Sequence, residues 1–147
     1  MSRMVFDIEA DGLLLEATKI WCIAAIDIDK ELDYFWPPEI IEDAIRTLNK
    51  ADLLIGHNIV GYDIPLIWKL YGIGLKPPTC DTQILSYLYN PDRGGHSVEW
   101  WAEYLGGEKK VQHEDWDNFS TDMMKRCISD VRLTEKIYYA LMQEREM

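Results

Sequence analysis

Two carboxylates, two residues apart, stand near the start of the chain in a run of strand-forming residues. Asp7 and Glu9 alternate with Phe6 and Ile8, so in an extended strand both acidic side chains project from one face. Like charges repel on such a face, and the burial of an unpaired charge is costly. A divalent cation such as Mg²⁺ or Mn²⁺ prefers oxygen ligands and would compensate both costs. An edge strand whose acidic face lies in water explains the same two residues as well.

Two further carboxylates stand where they could join this pair. Asp63 begins the helix that follows a compact strand predicted at residues 52–56. Open α/β sheets bind their ligands at the carboxyl ends of the strands, which is where Asp63 would lie. Asp130 has Ile128 and Val131 as apolar neighbours in the last predicted helix, so its carboxylate could point at a site instead of at solvent.

The rest of the chain supplies the elements that must position these acids. Apolar runs and turn residues predict an antiparallel meander of three strands within the first 36 residues. Helical periodicity predicts five helices, at about residues 38–49, 64–71, 83–89, 98–105 and 121–143. Strand segments at about 52–56 and 79–80 separate the first three helices. This order predicts an α/β fold with a mixed sheet, in which crossover helices join the parallel strands.

Length, composition and charge limit the class of protein. The 147 residues fit one domain, and no apolar run is long enough to span a membrane. The N-terminus lacks a signal-peptide pattern, and three widely spaced cysteines indicate reduced thiols, so we expect a cytoplasmic protein. The net charge of −11 excludes a broadly basic binding surface. Either the substrate is not a polyanion, or metal ions mediate contact with a polyanion at a local site.

Three segments in this order resemble the motifs of the DEDD, or DnaQ-like, 3′–5′ exonucleases. They are residues 7–13, with the sequence DIEADGL, residues 57–63, with the sequence HNIVGYD, and Asp130 in the last helix. The resemblance is most marked for the proofreading domain of phage-type family A DNA polymerases. It extends to the segments 80–82, 96–101 and 116–124 and so covers most of the chain.

The resemblance implies an RNase H-like fold, a mixed five-stranded sheet flanked by helices, with residues 1–147 as a single stand-alone domain. It implies two Mg²⁺ or Mn²⁺ ions per site, held by four ionised carboxylates: Asp7, Glu9, Asp63 and Asp130. Two such ions about 4 Å apart activate the attacking water and stabilise the leaving 3′ oxygen. The expected partner is a nucleic acid 3′ end, DNA in preference to RNA, with no membrane and with no replication or repair protein identified.

Other motif positions imply contacts with the substrate. Leu13 resembles the wedge leucine that separates the last two bases, and its alternative is a plain core residue. Asn58 and Tyr62 resemble substrate-contacting residues, with a packed aromatic as the alternative for Tyr62. His57 and His96 could each contact the substrate or serve the protein itself. Outside this set, we expect Asp81 to cap a helix.

The third motif departs from the family at the residue that orients the attacking water. Arg126 stands four positions before Asp130, where one branch of the family has a tyrosine. Arginine stays protonated in proteins and therefore cannot act as a base. On a helix Arg126 shares a face with Asp130, so it could pair with that acid, hold the scissile phosphate or stabilise transition-state charge. Water activation would then rest on the metal ions, with His113 as an auxiliary group.

The sequence thus predicts a metal-dependent 3′–5′ exonuclease that hydrolyses DNA and releases nucleoside monophosphates. A ribonuclease of the same fold is one alternative. The other is a non-catalytic metal-binding or protein-interaction module derived from that fold, which the acidity of the chain and Arg126 would favour.

Overall fold

A mixed sheet of five strands forms the centre of the computed structural model, which describes residues 1–106 and 115–146. The strands are β1 (Arg3–Ala10), β2 (Ile20–Asp27), β3 (Leu32–Trp36), β4 (Leu53–Gly56) and β5 (Thr79–Asp81). Across the sheet they follow the order β3-β2-β1-β4-β5. The first three strands pair antiparallel, whereas β4 runs parallel to both β1 and β5. The predicted combination of a meander with parallel strands is therefore confirmed.

In the described part of the chain, five α-helices flank this sheet near the predicted places. They are α1 (Ile41–Leu48), α2 (Ile64–Tyr71), α3 (Thr82–Tyr89), α4 (Val98–Gly106) and α5 (Thr121–Arg145). The first helix begins later than predicted, because Pro38–Ile40 forms a separate 3₁₀ turn. None of the helices in residues 1–106 and 115–146 combines the length and apolar character that a membrane-spanning helix requires.

Side-chain alternation along β1 divides the core between the two faces of the sheet. Met4, Phe6 and Ile8 pack in a core with residues of α1 and α2. Val5 points the other way and packs in a second core with residues of α5. Positions 7 and 9 are the next two on the face of Val5, so the alternation directs both carboxylates of the first motif towards α5.

The carboxyl ends of the parallel strands β1, β4 and β5 meet at one edge of the sheet. A β-bulge interrupts the pairing of β1 with β2 between Glu9 and Ala10, at the end of the first motif. Bulges at strand ends redirect side chains next to functional sites. The chain leaves β4 through a π-helical turn, Ile59–Asp63, which leads directly into α2.

Candidate active site

Asp7 and Glu9 converge with the thiol of Cys127 on the α5 side of the sheet. One ligand atom from each of the three residues lies within 4.8 Å of the other two. The Cys127 thiol donates to the main-chain oxygen of Asp7 at 3.5 Å. The alternative of an acidic edge strand in water is wrong, because β1 is the central strand and Glu9 is 6% exposed.

The position of Cys127 beside the acids was not predicted from the sequence. The spacing along the last helix could have predicted it, because Cys127 stands three residues before Asp130 and therefore shares its helix face. Asp130 is 5% exposed and lies on α5 between Cys127 and Val131 of the second core and Leu133 of a third. This group of ligand atoms thus contains Asp7 and Glu9, while Asp63 and Asp130 lie outside it and are buried.

A tight turn after β4 carries Asp63 to the site. A Cβ atom on Gly56 would lie 2.2 Å from Cγ2 of Ile59, so only glycine permits the chain to fold back here. Asn58 follows in the left-handed conformation, with φ of 60°. The π-helical turn then places Asp63, 4% exposed, at the start of α2. Such turns occur preferentially at functional sites.

Asp63 is a buried acid whose ionised form is disfavoured. Burial, followed by the negative charges of Glu9 and Asp81, holds the pKa of Asp63 well above its usual range. A divalent cation would compensate both the burial and the repulsion, and carboxylate oxygens are the ligands that Mg²⁺ and Mn²⁺ prefer. The donor set at this edge of the sheet therefore fits a divalent metal ion.

Asp81 has a structural role that links the second motif to α3. Its carboxylate accepts from the main-chain N–H groups of Gln83 at 3.0 Å and Ile84 at 3.4 Å, so the predicted helix cap is confirmed. The same carboxylate accepts from the N–H groups of Asn58 at 2.9 Å and Val60 at 3.0 Å. One side chain thus fixes the turn that carries Asp63, a second role that the sequence did not reveal.

His57 and His96 belong to a hydrogen-bonded network behind that turn. His57 Nε2 lies 2.7 Å from the carbonyl oxygen of His96 and donates to it, and Nδ1 lies 2.8 Å from Oγ1 of Thr82. His96 Nδ1 lies 2.6 Å from Oγ of Ser86, and its ring stacks on Tyr87. These contacts serve the protein itself, and a role of either histidine in substrate binding stays a prediction.

A cleft of about 430 Å³ opens beside Glu9, lined among others by Leu13, Tyr62, Trp116 and Arg126. Arg126 Nε lies 3.5 Å from Oε1 of Glu9, and its guanidinium lies 5.1 Å from the centre of the Trp116 ring. The helix therefore turns Arg126 into the site, and its ion pair with Glu9 was not among the contacts expected from the sequence. His113 lies outside the described residues.

Leu13 and Tyr62 form one wall of this cleft. The alternative of a core residue is wrong for Leu13, since its side chain is 74% exposed. The Tyr62 hydroxyl donates to the main-chain oxygen of Gly12 at 2.7 Å. Burial, followed by the charge of Asp63, raises the pKa of Tyr62 above its usual range, so the phenol keeps this proton well beyond neutral pH. The wall thus combines an exposed apolar side chain with a fixed aromatic ring.

Comparison with known proteins relates the chain to replication enzymes in sequence. No protein-family model matches it. The chain is 26% identical to the DNA-directed DNA polymerase of Enterobacteria phage T3, in an alignment 188 positions long that covers 97% of the chain and 27% of the polymerase. It spans about a quarter of the length of the curated relatives it matches.

Solved structures relate the chain to nucleases in fold. NrnC of Brucella melitensis is similar with a TM-score of 0.73 and 19% identity, covering 98% of this chain and 74% of that protein. RNase D of Escherichia coli, an exoribonuclease involved in structured RNA processing, is similar with a TM-score of 0.72 and 18% identity. That similarity covers 98% of this chain and 40% of RNase D.

Proposed function

We propose that this chain is a metal-dependent 3′–5′ exonuclease acting on DNA. Its resemblance to the DnaQ-like 3′–5′ exonucleases in sequence and its RNase H-like fold support this proposal. The observation that carries the proposal is the convergence of Asp7 and Glu9 at the carboxyl end of β1, next to the cleft. Asp130 lies on α5, which packs on β1, and Asp63 ends the turn that follows β4, the parallel neighbour of β1. The products would be nucleoside monophosphates.

The metal centre in this proposal has four protein ligands, Asp7, Glu9, Asp63 and Asp130, and two ions, Mg²⁺ or Mn²⁺. When bound, such ions lower the pKa of the attacking water and stabilise the charge that develops on the leaving 3′ oxygen. The elevated pKa of Asp63 supports a cation at this place, because the ionised form of that acid needs compensation. NrnC of Brucella melitensis is described with bound Mg²⁺.

The chain's own residues orient the substrate in this scheme. Arg126 holds the carboxylate of Glu9 through their ion pair and presents a fixed positive charge towards the scissile phosphate. Leu13 and Tyr62 provide the wall against which the terminal nucleotide lies. The side chain of Asn58, in the second motif, lies so near Gly61 that a Cβ atom on Gly61 would be 2.6 Å from Oδ1 of Asn58. In this scheme Asn58 contacts the 3′ end of the substrate.

DNA is proposed as the substrate because the chain aligns over nearly its whole length with phage DNA polymerases. RNA is the second candidate, and the similarity in fold to RNase D of Escherichia coli favours it. The net charge of −11 does not distinguish DNA from RNA. With either substrate, the nucleic acid would be held at the metal centre and not on a basic surface.

Digestion of 3′- and 5′-labelled DNA and RNA, single- and double-stranded, in Mg²⁺ or Mn²⁺ tests this proposal. We expect stepwise removal of mononucleotides from the 3′ end of DNA. Asp7→Asn should abolish the reaction, whereas Asp92→Asn, at an exposed acid of a loop, should leave it unchanged. Faster digestion of RNA than of DNA would establish the ribonuclease. Metal binding without digestion of any substrate would establish the non-catalytic module and contradict the proposal.

A further inference from the structure

A single lysine anchors the loop that joins β1 to β2 and carries Leu13. Nζ of Lys69, in α2, donates to the main-chain oxygens of Leu14 at 2.8 Å, Leu15 at 2.9 Å and Ala17 at 2.9 Å. An ammonium group has three N–H donors, so all of them are directed at this loop. These charge-assisted bonds fix three of the four carbonyl groups that follow Leu13 in this loop.

The loop is also held at its base and from the side. The carboxylate of Asp11 accepts from the main-chain N–H groups of Thr18 at 2.8 Å and Lys19 at 3.0 Å, and from the Thr18 hydroxyl. The main-chain N–H of Ala17 donates to the oxygen of Leu13 at 2.8 Å. Tyr62 adds the bond to Gly12 described above. The main chain on either side of Leu13 is therefore fixed although the residue lies on the surface.

The side chain of Leu13 contrasts with this fixed backbone. It is 74% exposed and borders the same cleft as Glu9 and Arg126. An exposed apolar side chain gains no stability from the core of its own protein. The bonds that fix the loop therefore do not serve to bury Leu13. Its apolar surface is suited to the face of a nucleobase. Unstacking a base costs free energy, and a mobile loop would yield before the bases separate.

We propose that Lys69 is a positioning residue, which holds Leu13 rigid so that it separates the last base of a paired 3′ end from its neighbour. This inference rests on the proposed exonuclease function and adds the residue that makes the separation possible. It predicts that loss of Lys69 affects paired ends far more than single strands, because only a paired end must be opened before it reaches the acids.

A binding experiment tests the inference without turnover. A duplex carries 2-aminopurine as its 3′-terminal base and a phosphonate in place of the last linkage, so that it cannot be hydrolysed. We expect the wild type to raise the fluorescence at saturation, since the base becomes unstacked. Leu13→Ala and Lys69→Met should both lose most of that rise. Lys50→Met is the matched control and should behave as the wild type, because Lys50 lies just after α1 and, in the part of the chain that the structure describes, no side-chain hydrogen bond joins it to the loop.

A kinetic comparison distinguishes positioning from mere stability. Lys69→Met should lower the ratio of kcat/KM on duplex to kcat/KM on single-stranded DNA by at least about tenfold, the factor that the loss of one of its three charge-assisted bonds would already give. A general loss of stability would instead lower kcat/KM on duplex and on single-stranded DNA by the same factor. Lys69→Arg should give an intermediate ratio, since a planar guanidinium cannot direct three donors at these carbonyls. It carries the test if Lys69→Met does not fold.

The failure of this inference is distinguishable from the failure of the proposed function. An active wild type whose substrate ratio and fluorescence rise are unchanged in both Lys69 variants would overturn the role of Lys69 alone. An inactive wild type that still shows a fluorescence rise dependent on Lys69 would contradict the exonuclease and retain the positioning role.

Discussion

Nε of Arg126 lies 3.5 Å from Oε1 of Glu9, so a permanently charged side chain stands next to a proposed metal ligand. Both side chains are largely buried, at 15% and 7% exposure, and solvent therefore screens the pair weakly. The guanidinium has two opposite effects at this position. It orients the Glu9 carboxylate and can stabilise negative charge on the substrate, but it also repels a cation that Glu9 would bind.

Replacement of Arg126 by glutamine should separate these two effects. We expect Arg126→Gln to lower kcat about 10- to 100-fold, because a charge directed at the transition state is lost. The metal concentration that gives half-maximal activity should fall, because the competing cation is gone. A metal titration of the initial digestion rate measures both quantities. Arg132→Gln is the matched control, since Arg132 is on the same helix, 57% exposed, and pairs with Asp33. An increase in kcat would show that Arg126 restrains the enzyme.

Asp63→Asn should abolish activity while raising stability in the absence of metal. The pKa of Asp63 is raised in the folded protein by burial and by the charges of Glu9 and Asp81. Between the unfolded pKa of about 4 and the raised folded pKa, the native state binds more protons, so stability falls as the pH rises. We expect Asp63→Asn to be more stable than the wild type by at least about 1 kcal/mol at pH 8, and less different near pH 4.

Thermal unfolding in EDTA at these two pH values checks this expectation for Asp63. Added Mg²⁺ or Mn²⁺ should raise the melting temperature of the wild type more than that of the variant, because a bound ligand stabilises the folded state. Equal stability of the two proteins at pH 8 would contradict the raised pKa of Asp63.

Gly56→Ala should disrupt the turn that delivers Asp63. The added Cβ would lie 2.2 Å from Cγ2 of Ile59 and 3.2 Å from the main-chain oxygen of Phe6, so the backbone must move. We expect a loss of about 1–3 kcal/mol in the free energy of unfolding, together with reduced activity. Urea unfolding measures the first and digestion the second. Gly74→Ala, where nothing lies within 4 Å of the new atom, should leave both unchanged.

Asp81→Ala should weaken the protein without acting as the loss of a metal ligand. The four N–H groups that Asp81 accepts from would lose their partner, which should cost about 1–3 kcal/mol of stability. Activity should fall through the displaced turn, while the metal concentration for half-maximal rate stays within about twofold of the wild type. Ser120→Ala removes an ordinary helix cap on α5 and should cost only about 1 kcal/mol. A large rise in the metal requirement of Asp81→Ala would make Asp81 a ligand.

Local signals made much of the fold predictable. The order of strands and helices followed from apolar periodicity and from residues that terminate these elements, such as Gly72, which ends α2 with φ of 66°. The pairing of Asp7 with Glu9 on one face followed from the two-residue repeat of a strand. Boundaries were less predictable, as at Pro38–Ile40, because a 3₁₀ turn and the first turn of an α-helix share the same residue preferences.

The sequence by itself determined which residues are acidic, which faces they share and which elements carry them, because these depend on the nearest neighbours along the chain. Only the tertiary structure decided that Arg126 pairs with Glu9, that Cys127 stands beside both first-motif acids and that Lys69 supports the loop of Leu13. Each of these contacts joins residues more than 50 positions apart. Their distances depend on how α2 and α5 pack on the sheet, which no local pattern encodes.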